Sequence, residues 1–105
     1  MGSKLVEIRG TKRWCDESGK NHRLDGPAVE YPDGEKRWYI HGDLHHLDGP
    51  AVECFYGDEG RVLWYVDNKK VNGPLDLLEH GANWRDLVEW LTPREIAELK
   101  SAEGN

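Results

Sequence analysis

The stretch HRLDGPAVEY at residues 22–31 is followed by HHLDGPAVEC at residues 45–54, so LDGPAVE occurs twice, 23 residues apart. A third, shorter copy, VNGP, stands at 71–74. One tryptophan precedes each copy: Trp14, Trp38 and Trp64. A unit of this size cannot bury its rings alone, so neighbouring units have to pack together to complete a sheet. The repetition therefore predicts three units of one β-architecture.

Turn sequences separate the repeated segments and predict how the strands are joined. ESGKN precedes the first copy, YPDGE follows it, and HGDLH precedes the second. Turns spaced by about 8 to 12 residues are typical of antiparallel strands. Alternation along KRWYI and VLWYV places Trp38 and Trp64 on one face, opposite Arg37, Tyr39 and Tyr65. We predict that Trp38 and Trp64 are core residues.

The Asp-Gly-Pro triplet of each intact copy has turn chemistry rather than catalytic chemistry. Glycine tolerates unusual backbone angles, proline cannot donate a ladder hydrogen bond, and aspartate can accept from a backbone N–H two residues on. Asn72 in the third copy keeps the side-chain oxygen but lacks the charge. We therefore interpret Asp25 and Asp48 as structural residues that bend and cap a strand.

Beyond Pro74 the apolar spacing changes from strand-like to helix-like. The apolar residues of NWRDLVEWL follow the i, i+3, i+4, i+7 pattern behind an N-cap at Asn83 and predict an amphipathic helix over 83–91. TPREIAEL predicts a second helix, because Thr92 and Glu95 form a capping box with a proline in the first turn. PLDLLEHG predicts a further helical turn or two, ended by Gly81.

Together these patterns predict an α+β fold. It is an antiparallel, Trp-rich β-hairpin-repeat sheet, running as a meander, with a small helical C-terminal cap. Residues 1–74 form the sheet of three units and residues 75–105 form the cap, within a single domain. A chain of 105 residues is long enough for one modest core.

The charge of the chain is unevenly distributed. The formal net charge is −6, of which residues 75–105 contribute −4 through seven acidic and three basic side chains. Nucleic-acid binding through a basic face is therefore disfavoured, and a basic protein partner fits better. The chain has no run near the roughly 18 apolar residues of a membrane span, and its N-terminus lacks the apolar centre of a secretory signal. We expect a cytoplasmic protein with reduced cysteines and no membrane contact.

Catalytic and metal-binding groups do not form a complete set. His41, His45 and His46 are close in sequence, and His22 is the repeat equivalent of His45. Their spacing is not that of a zinc finger, and adjacent histidines on a strand face opposite sides. No serine stands in an activating sequence context. We assign no catalytic residue, no metal and no cofactor. A metal-dependent hydrolase that uses the histidines is the third functional hypothesis.

Two surfaces are candidates for binding a partner. The first is the aromatic sheet face, with Tyr39, Tyr65, Arg37, Tyr31 and Tyr56. Tyrosine and arginine are common interface anchors, although a helix over 83–91 would conceal this face if it packed there. The second is the acidic helical surface, with Glu89, Glu95 and Glu98. This surface either mimics nucleic acid in a basic groove or is an ordinary solvated surface. We favour the aromatic face.

The segment HRLDGPAVEYPDGEKRWYIHGDLHHLDGPAVE resembles the DGPA-type repeats of phage and other viral proteins, which are similar to MORN-type hairpin repeats. The resemblance implies β-hairpins that present a binding surface, not a reaction. It also implies a phage-encoded protein in the host cytoplasm. The sharpest functional hypothesis is an inhibitor of a bacterial defence enzyme of the anti-CRISPR kind, which occupies a host protein that itself handles nucleic acid. The alternative is a structural repeat module of a virion or another assembly.

Overall fold

A computed structural model describes residues 3–56 and 59–103, and within them nine β-strands precede the helices. The strands are β1 (Lys4–Ile8), β2 (Thr11–Cys15), β3 (Val29–Glu30), β4 (Lys36–Arg37), β5 (Tyr39–Ile40), β6 (Asp43–Leu44), β7 (Val52–Tyr56), β8 (Glu59–Val66) and β9 (Lys69–Val71). The helical elements are α1 (Pro74–Glu79), a 3-10 helix (Trp84–Leu87) and α2 (Pro93–Glu103).

The strands form a mostly antiparallel meander. Seven of them pair in the order β1-β2-β3-β4-β7-β8-β9, and β5 and β6 form a separate two-stranded piece between β4 and β7. Each neighbouring pair is antiparallel. The expected antiparallel sheet with a small C-terminal helical part is therefore confirmed.

Three two-residue hairpin turns have the same backbone conformation. In each, both turn residues have positive φ, which matches the right-handed twist of the flanking strands. The turns join β1 to β2, β5 to β6, and β8 to β9, and their residues are Arg9 and Gly10, His41 and Gly42, and Asp67 and Asn68. Glycine or asparagine at the second position lowers the steric cost of this conformation.

The two complete copies of LDGPAVE make matching backbone contacts. The N–H of Trp14 donates to the carbonyl of Ala28 at 2.8 Å, and the N–H of Trp38 donates to the carbonyl of Ala51 at 2.7 Å. Both alanines are fully buried. Complete burial leaves little room for a larger side chain, which accounts for alanine at the same place in each copy.

The glycine of each complete copy makes room for the side chain three residues before it. A Cβ on Gly26 would lie 2.6 Å from Cζ of Arg23, and a Cβ on Gly49 would lie 3.2 Å from Cε1 of His46. These two side chains pack on tryptophan: the Arg23 guanidinium lies 3.9 Å from the centre of the Trp14 ring. The Asp-Gly-Pro glycine therefore permits stacking in each copy.

The aspartates of the triplet do not form the expected Asx turn. Asp25 accepts instead from Nε of Arg23 at 3.0 Å, and the exposed Asp48 makes no hydrogen bond to any described residue. Asx turns occur elsewhere: Asp16 accepts from the N–H of Ser18, and Asp33 accepts in the same way two residues ahead. The prediction of a capping carboxylate was wrong, because an arginine two residues earlier competes for Asp25.

Replacement of Asp48 by asparagine is expected to leave the fold and any binding activity unchanged. Its side chain is exposed and stabilises no backbone group, and asparagine already occupies the third copy at position 72. Urea unfolding and partner capture would be compared for the parent and Asp48→Asn proteins. Loss of activity at an unchanged unfolding midpoint would show that the Asp48 carboxylate takes part in function.

The main core lies between one face of the sheet and the helices. It consists of buried side chains from β8, α1, the 3-10 helix and the segment that follows: Trp64, Val66, Leu77, Trp84, Leu87 and Leu91. Trp90 packs edge-on against Trp64, with ring centres 5.4 Å apart and an interplanar angle of 88°. This geometry suits two aromatic quadrupoles, so the pair contributes beyond its buried area.

Both Trp38 and Trp64 were predicted to be core residues, and the prediction is confirmed for Trp64 only. Trp64 is buried, whereas Trp38 is half-buried and lies in the break between β4 and β5. The Trp38 indole stacks on the ring of His46, with centroids 3.6 Å apart and an interplanar angle of 9°. The helices pack against the end of the sheet that carries Trp64, which is why these two rings have different environments.

The helical boundaries partly follow the sequence pattern. Helix α1 is followed by Gly81 at a φ of 98°, and α2 has the reciprocal capping box, in which the N–H of Thr92 donates to Glu95 and the N–H of Glu95 donates to Oγ1 of Thr92. Asn83 caps the middle element as expected. That element is a 3-10 helix ending at Leu87, not an amphipathic α-helix over 83–91.

Candidate partner-binding site

The sheet face opposite the helices contains an open groove of about 340 Å³. Its lining residues come from β4, β6, β7 and β8: Arg37, Leu44, Val52, Cys54, Arg61, Leu63 and Tyr65. The helices pack instead on the Trp64 face, so the 83–91 segment does not conceal the aromatic side. A groove with an aliphatic floor and polar groups at its rim has the general character of a binding site.

Strand register explains why these residues converge. Arg37 pairs with Val52 across β4 and β7, and Val52 pairs with Leu63 across β7 and β8. Directly opposed residues of antiparallel strands share a face. Tyr65 and Arg61 lie two residues to either side of Leu63 on β8, so alternation places both on that face as well.

Arg37 connects the predicted aromatic residues. Its Nε donates to the Glu35 carboxylate at 2.7 Å, and its Cζ lies 5.8 Å from the centre of the Tyr31 ring. Burial works against the charged guanidinium, but the hydrogen bonds to Tyr39 and Glu35 outweigh it and raise the pKa of Arg37 above its usual value. Arg37 is therefore a fixed cation that holds Tyr31 and Tyr39 beside the groove.

Arg61 is placed differently from Arg37. It is exposed at the rim of the groove and makes no hydrogen bond or ion pair with any side chain described outside residues 55–59. Arg61 is not among the residues predicted from the sequence to bind a partner. The signal was present, since Arg61, Leu63 and Tyr65 alternate along one strand with Tyr65 already assigned to the binding face.

The predicted tyrosines differ in how they contribute to this face. Tyr65 lines the groove and is half-buried, and the half-buried Tyr39 pairs in register with the groove residue Leu44. Tyr31 is 36% exposed beside Arg37. Tyr56 ends β7, but its side chain lies outside the described residues. The structure thus places Arg37 and Tyr65 in the groove lining, with Tyr31 near Arg37 and Tyr39 opposite Leu44 in register.

The acidic residues of the alternative surface are not a uniform patch. Glu95 is half-buried and accepts from the N–H of Thr92 at 2.8 Å. Glu98 lies 3.6 Å from Nε of Arg94, one turn earlier on α2. Glu89 is exposed in the segment after the 3-10 helix. Two of the three predicted carboxylates therefore already have intramolecular partners.

A second cavity, of about 360 Å³, lies where the third copy meets the helices. Its polar lining includes Asp76 and Glu95, each of which accepts a backbone N–H, from Asn72 at 2.7 Å and from Thr92 at 2.8 Å. These carboxylates stabilise the starts of two helices. The cavity is explained by the way the helices begin and is a weaker candidate for a ligand.

The histidines have hydrogen-bonding roles in the hairpins. Nδ1 of His22 accepts from the N–H of His41 at 2.9 Å, and Nδ1 of His45 accepts from the N–H of Asp67 at 3.0 Å. Each acceptor nitrogen therefore satisfies the first residue of a hairpin turn. His41 donates from Nδ1 to Asp16 at 2.8 Å, and this hydrogen bond lowers the pKa of that carboxyl. In the described part of the chain, no three His, Cys, Asp or Glu side chains are arranged to hold a metal ion.

Stability is expected to fall as the pH drops below about 6.5, because of His46. Its Nδ1 donates to the carbonyl of Pro50 at 2.9 Å. Burial lowers the pKa of this imidazole below its ordinary value, although the Pro50 carbonyl and Asp48 oppose the shift. The unfolded chain therefore takes up a proton at a higher pH than the folded chain. The contribution of neutral His46 to the free energy of unfolding is complete above its pKa in the unfolded chain. It decreases as the pH falls toward its pKa in the folded chain, by at most about 1.4 kcal/mol per pH unit.

Urea unfolding at pH 7.5 and at pH 5.5 measures this effect. His46→Gln should reduce the difference between the two conditions, whereas His80→Gln, which alters an exposed histidine, should preserve it. An undiminished difference in His46→Gln would show that another group is responsible.

No helix within residues 3–56 or 59–103 has the length and apolar character required to cross a membrane. No protein-family model, no curated protein and no solved structure matches the chain.

Proposed function

We propose that this protein is a small protein-binding module that uses the groove face of its sheet. The observation that carries the proposal is the groove itself, which combines an aliphatic floor with Arg37, Arg61 and Tyr65 on a face that the helices leave open. Arginine and tyrosine are enriched at interface hot spots, and half-buried rings lose little side-chain entropy on binding.

A narrower version of the proposal rests on the resemblance to phage DGPA-type repeats. In this version the chain consists of three Trp-led hairpin units, is phage-encoded and acts in the host cytoplasm. It inhibits a bacterial defence enzyme by occupying one of its surfaces, in the manner of an anti-CRISPR protein. A structural module of a virion would present the same groove to another virion protein.

The groove supports the proposal better than the acidic surface does. A nucleic-acid mimic needs carboxylates that are free to face a basic groove. Glu95 is committed to a helix cap, and Glu98 lies beside Arg94. The aromatic cluster around Arg37, in contrast, is already ordered before binding, which reduces the entropic cost of an interface there.

Affinity capture with matched variants tests the proposal. The immobilised protein is exposed to bacterial lysate, with and without phage infection, and bound proteins are identified by mass spectrometry. A stoichiometric partner should be retained by the parent and by Glu89→Lys/Glu98→Lys, and lost by Tyr39→Ala/Tyr65→Ala. A defence-enzyme subunit would support inhibition, and a virion protein would support the assembly role. Capture that survives the tyrosine variant but not the glutamate variant would overturn the choice of face.

A further inference from the structure

The groove face is basic although the protein is acidic. Arg37 is linked through register to Val29 and then to Arg13 on β2, so these residues share a face across β2, β3 and β4. The cations placed on this face by register and alternation are Lys4, Arg13, Arg37, Arg61 and Lys70, whereas Glu59, at the same parity of β8 as Arg61, has a side chain outside the described residues. Among the strand side chains that the structure describes, no carboxylate lies on this face, and the Glu35 carboxylate just before β4 pairs with Arg37 there. The net charge of the whole chain is −6.

The opposite face has a different charge pattern. Glu7 pairs with Lys12, Lys12 with Glu30, Glu30 with Lys36, and Lys36 with Glu53, so opposite charges alternate across five strands. Cross-strand pairs of this kind neutralise one another. The cations of the groove face have no corresponding ladder of carboxylates, so they give that side a local positive potential.

Within the groove, Arg61 is the cation that is available to a ligand. Arg37 already has the Glu35 carboxylate at 2.7 Å. Arg61 has no such partner among the described side chains, which leave out those of residues 55–59, and it pairs in register with Cys54, beside the aliphatic floor of Val52 and Leu63. A guanidinium beside an apolar floor matches a carboxylate next to an apolar side chain.

We propose that the groove binds an acidic, apolar segment of the partner protein. A Glu or Asp side chain of the segment pairs with Arg61, and a neighbouring apolar side chain packs on Val52 and Leu63. This inference rests on the proposed protein-binding function and adds the chemistry of the partner. It also reverses the expectation of a basic partner, which came from the net charge without regard to its distribution over the two faces.

Single-stranded nucleic acid is the competing anion, and two observations favour the acidic peptide. Stacking of bases requires open aromatic faces, but Tyr39 and Tyr65 are half-buried, and Tyr31 lies near the Arg37 guanidinium. The floor between the cations is aliphatic. A polyanion also meets the net negative charge of the remaining surface, whereas a short acidic segment contacts only the groove.

Fluorescence anisotropy with defined probes tests this inference. The probes are a fluorescein-labelled peptide of alternating glutamate and leucine, the same peptide with glutamine in place of glutamate, and a labelled oligothymidine. We expect binding of the glutamate peptide only, weakened about tenfold or more by Arg61→Gln, because a charge-assisted hydrogen bond is lost. Arg94→Gln, which changes an arginine on the exposed surface of α2, is the matched control and should bind like the parent.

The inference fails if the glutamate peptide does not bind, if the glutamine peptide binds equally well, or if Arg61→Gln has no effect. Stronger binding of oligothymidine would replace it with nucleic-acid binding. Lysate capture separates this failure from failure of the proposed function. A partner that is lost on Tyr39→Ala/Tyr65→Ala and retained by Arg61→Gln would refute only the acidic segment. A partner unaffected by either change would refute the groove as the binding face.

Discussion

Truncation of Trp64 to alanine is expected to lower the free energy of unfolding by about 3 to 5 kcal/mol. The indole is 8% exposed and belongs to the main core, where it meets Trp90 edge-on. Its removal would leave a cavity between β8 and the helices and would also remove the aromatic pair. Domains of this size are stable by only about 5 to 15 kcal/mol, so the change is a large part of the total.

Urea denaturation of Trp64→Ala and Trp38→Ala provides the measurement and its comparison. Trp38 is half-buried and stacks on His46 outside the main core, so its truncation should destabilise the protein distinctly less. Equal effects of the two substitutions would mean that the hairpins contribute alike and that the helices add little to the core. A midpoint for Trp64→Ala close to that of the parent would contradict the assigned core.

Truncation of Tyr39 and Tyr65 is expected to have the largest effect on partner binding. Each should weaken affinity by on the order of 2 kcal/mol, which is roughly thirtyfold. Tyr65 lines the groove, and Tyr39 lies across from the groove residue Leu44. Isothermal titration of the captured partner with each single variant would measure the effect, after circular dichroism has shown that the variant is folded.

The matched control for the tyrosine variants is charge reversal at Glu89 and Glu98. Both side chains are exposed on the helical side of the molecule, away from the groove. If the groove is the interface, Glu89→Lys/Glu98→Lys should bind with nearly the parent affinity. Strong weakening by this variant, together with little change in the tyrosine variants, would place the interface on the helices.

Local patterns predicted the sheet and its faces well. Parity along β8 correctly separated Trp64 from Tyr65, and the Thr92 to Glu95 capping box appears as the sequence indicated. Both depend on neighbours within a few residues. Two features did not follow from these patterns: Asp25 pairs with the side chain of Arg23 instead of a backbone N–H, and Trp38 lies outside the core that the helices cover. Equal sequence in two copies did not imply equal surroundings.

The groove was only partly predictable for the same reason. Alternation along the strands indicated Tyr39, Tyr65 and Arg37. Arg61 becomes recognisable as a binding residue only through its position beside Val52 and Leu63. The basic character of the face was concealed by a net charge of −6, because many of the twenty carboxylates lie in turns and loops, in the opposite ladder and in the helices. Summed charge ignores the strand pairing that sorts residues onto two sides.

The two histidine contacts between hairpins run in the same direction along the chain. His22 supplies an acceptor to the turn that begins at His41, and His45 supplies one to the turn that begins at Asp67. In both contacts the acceptor histidine precedes the donor turn in the chain, by 19 and 22 residues. The β5–β6 hairpin, together with His45 directly after it, therefore supplies both kinds of group: a donor N–H at His41 and an acceptor nitrogen at His45. A tandem duplication of that segment would add one turn N–H donor and one histidine acceptor. Each added group would find its partner in a neighbouring unit, so the array could grow by one unit at a time.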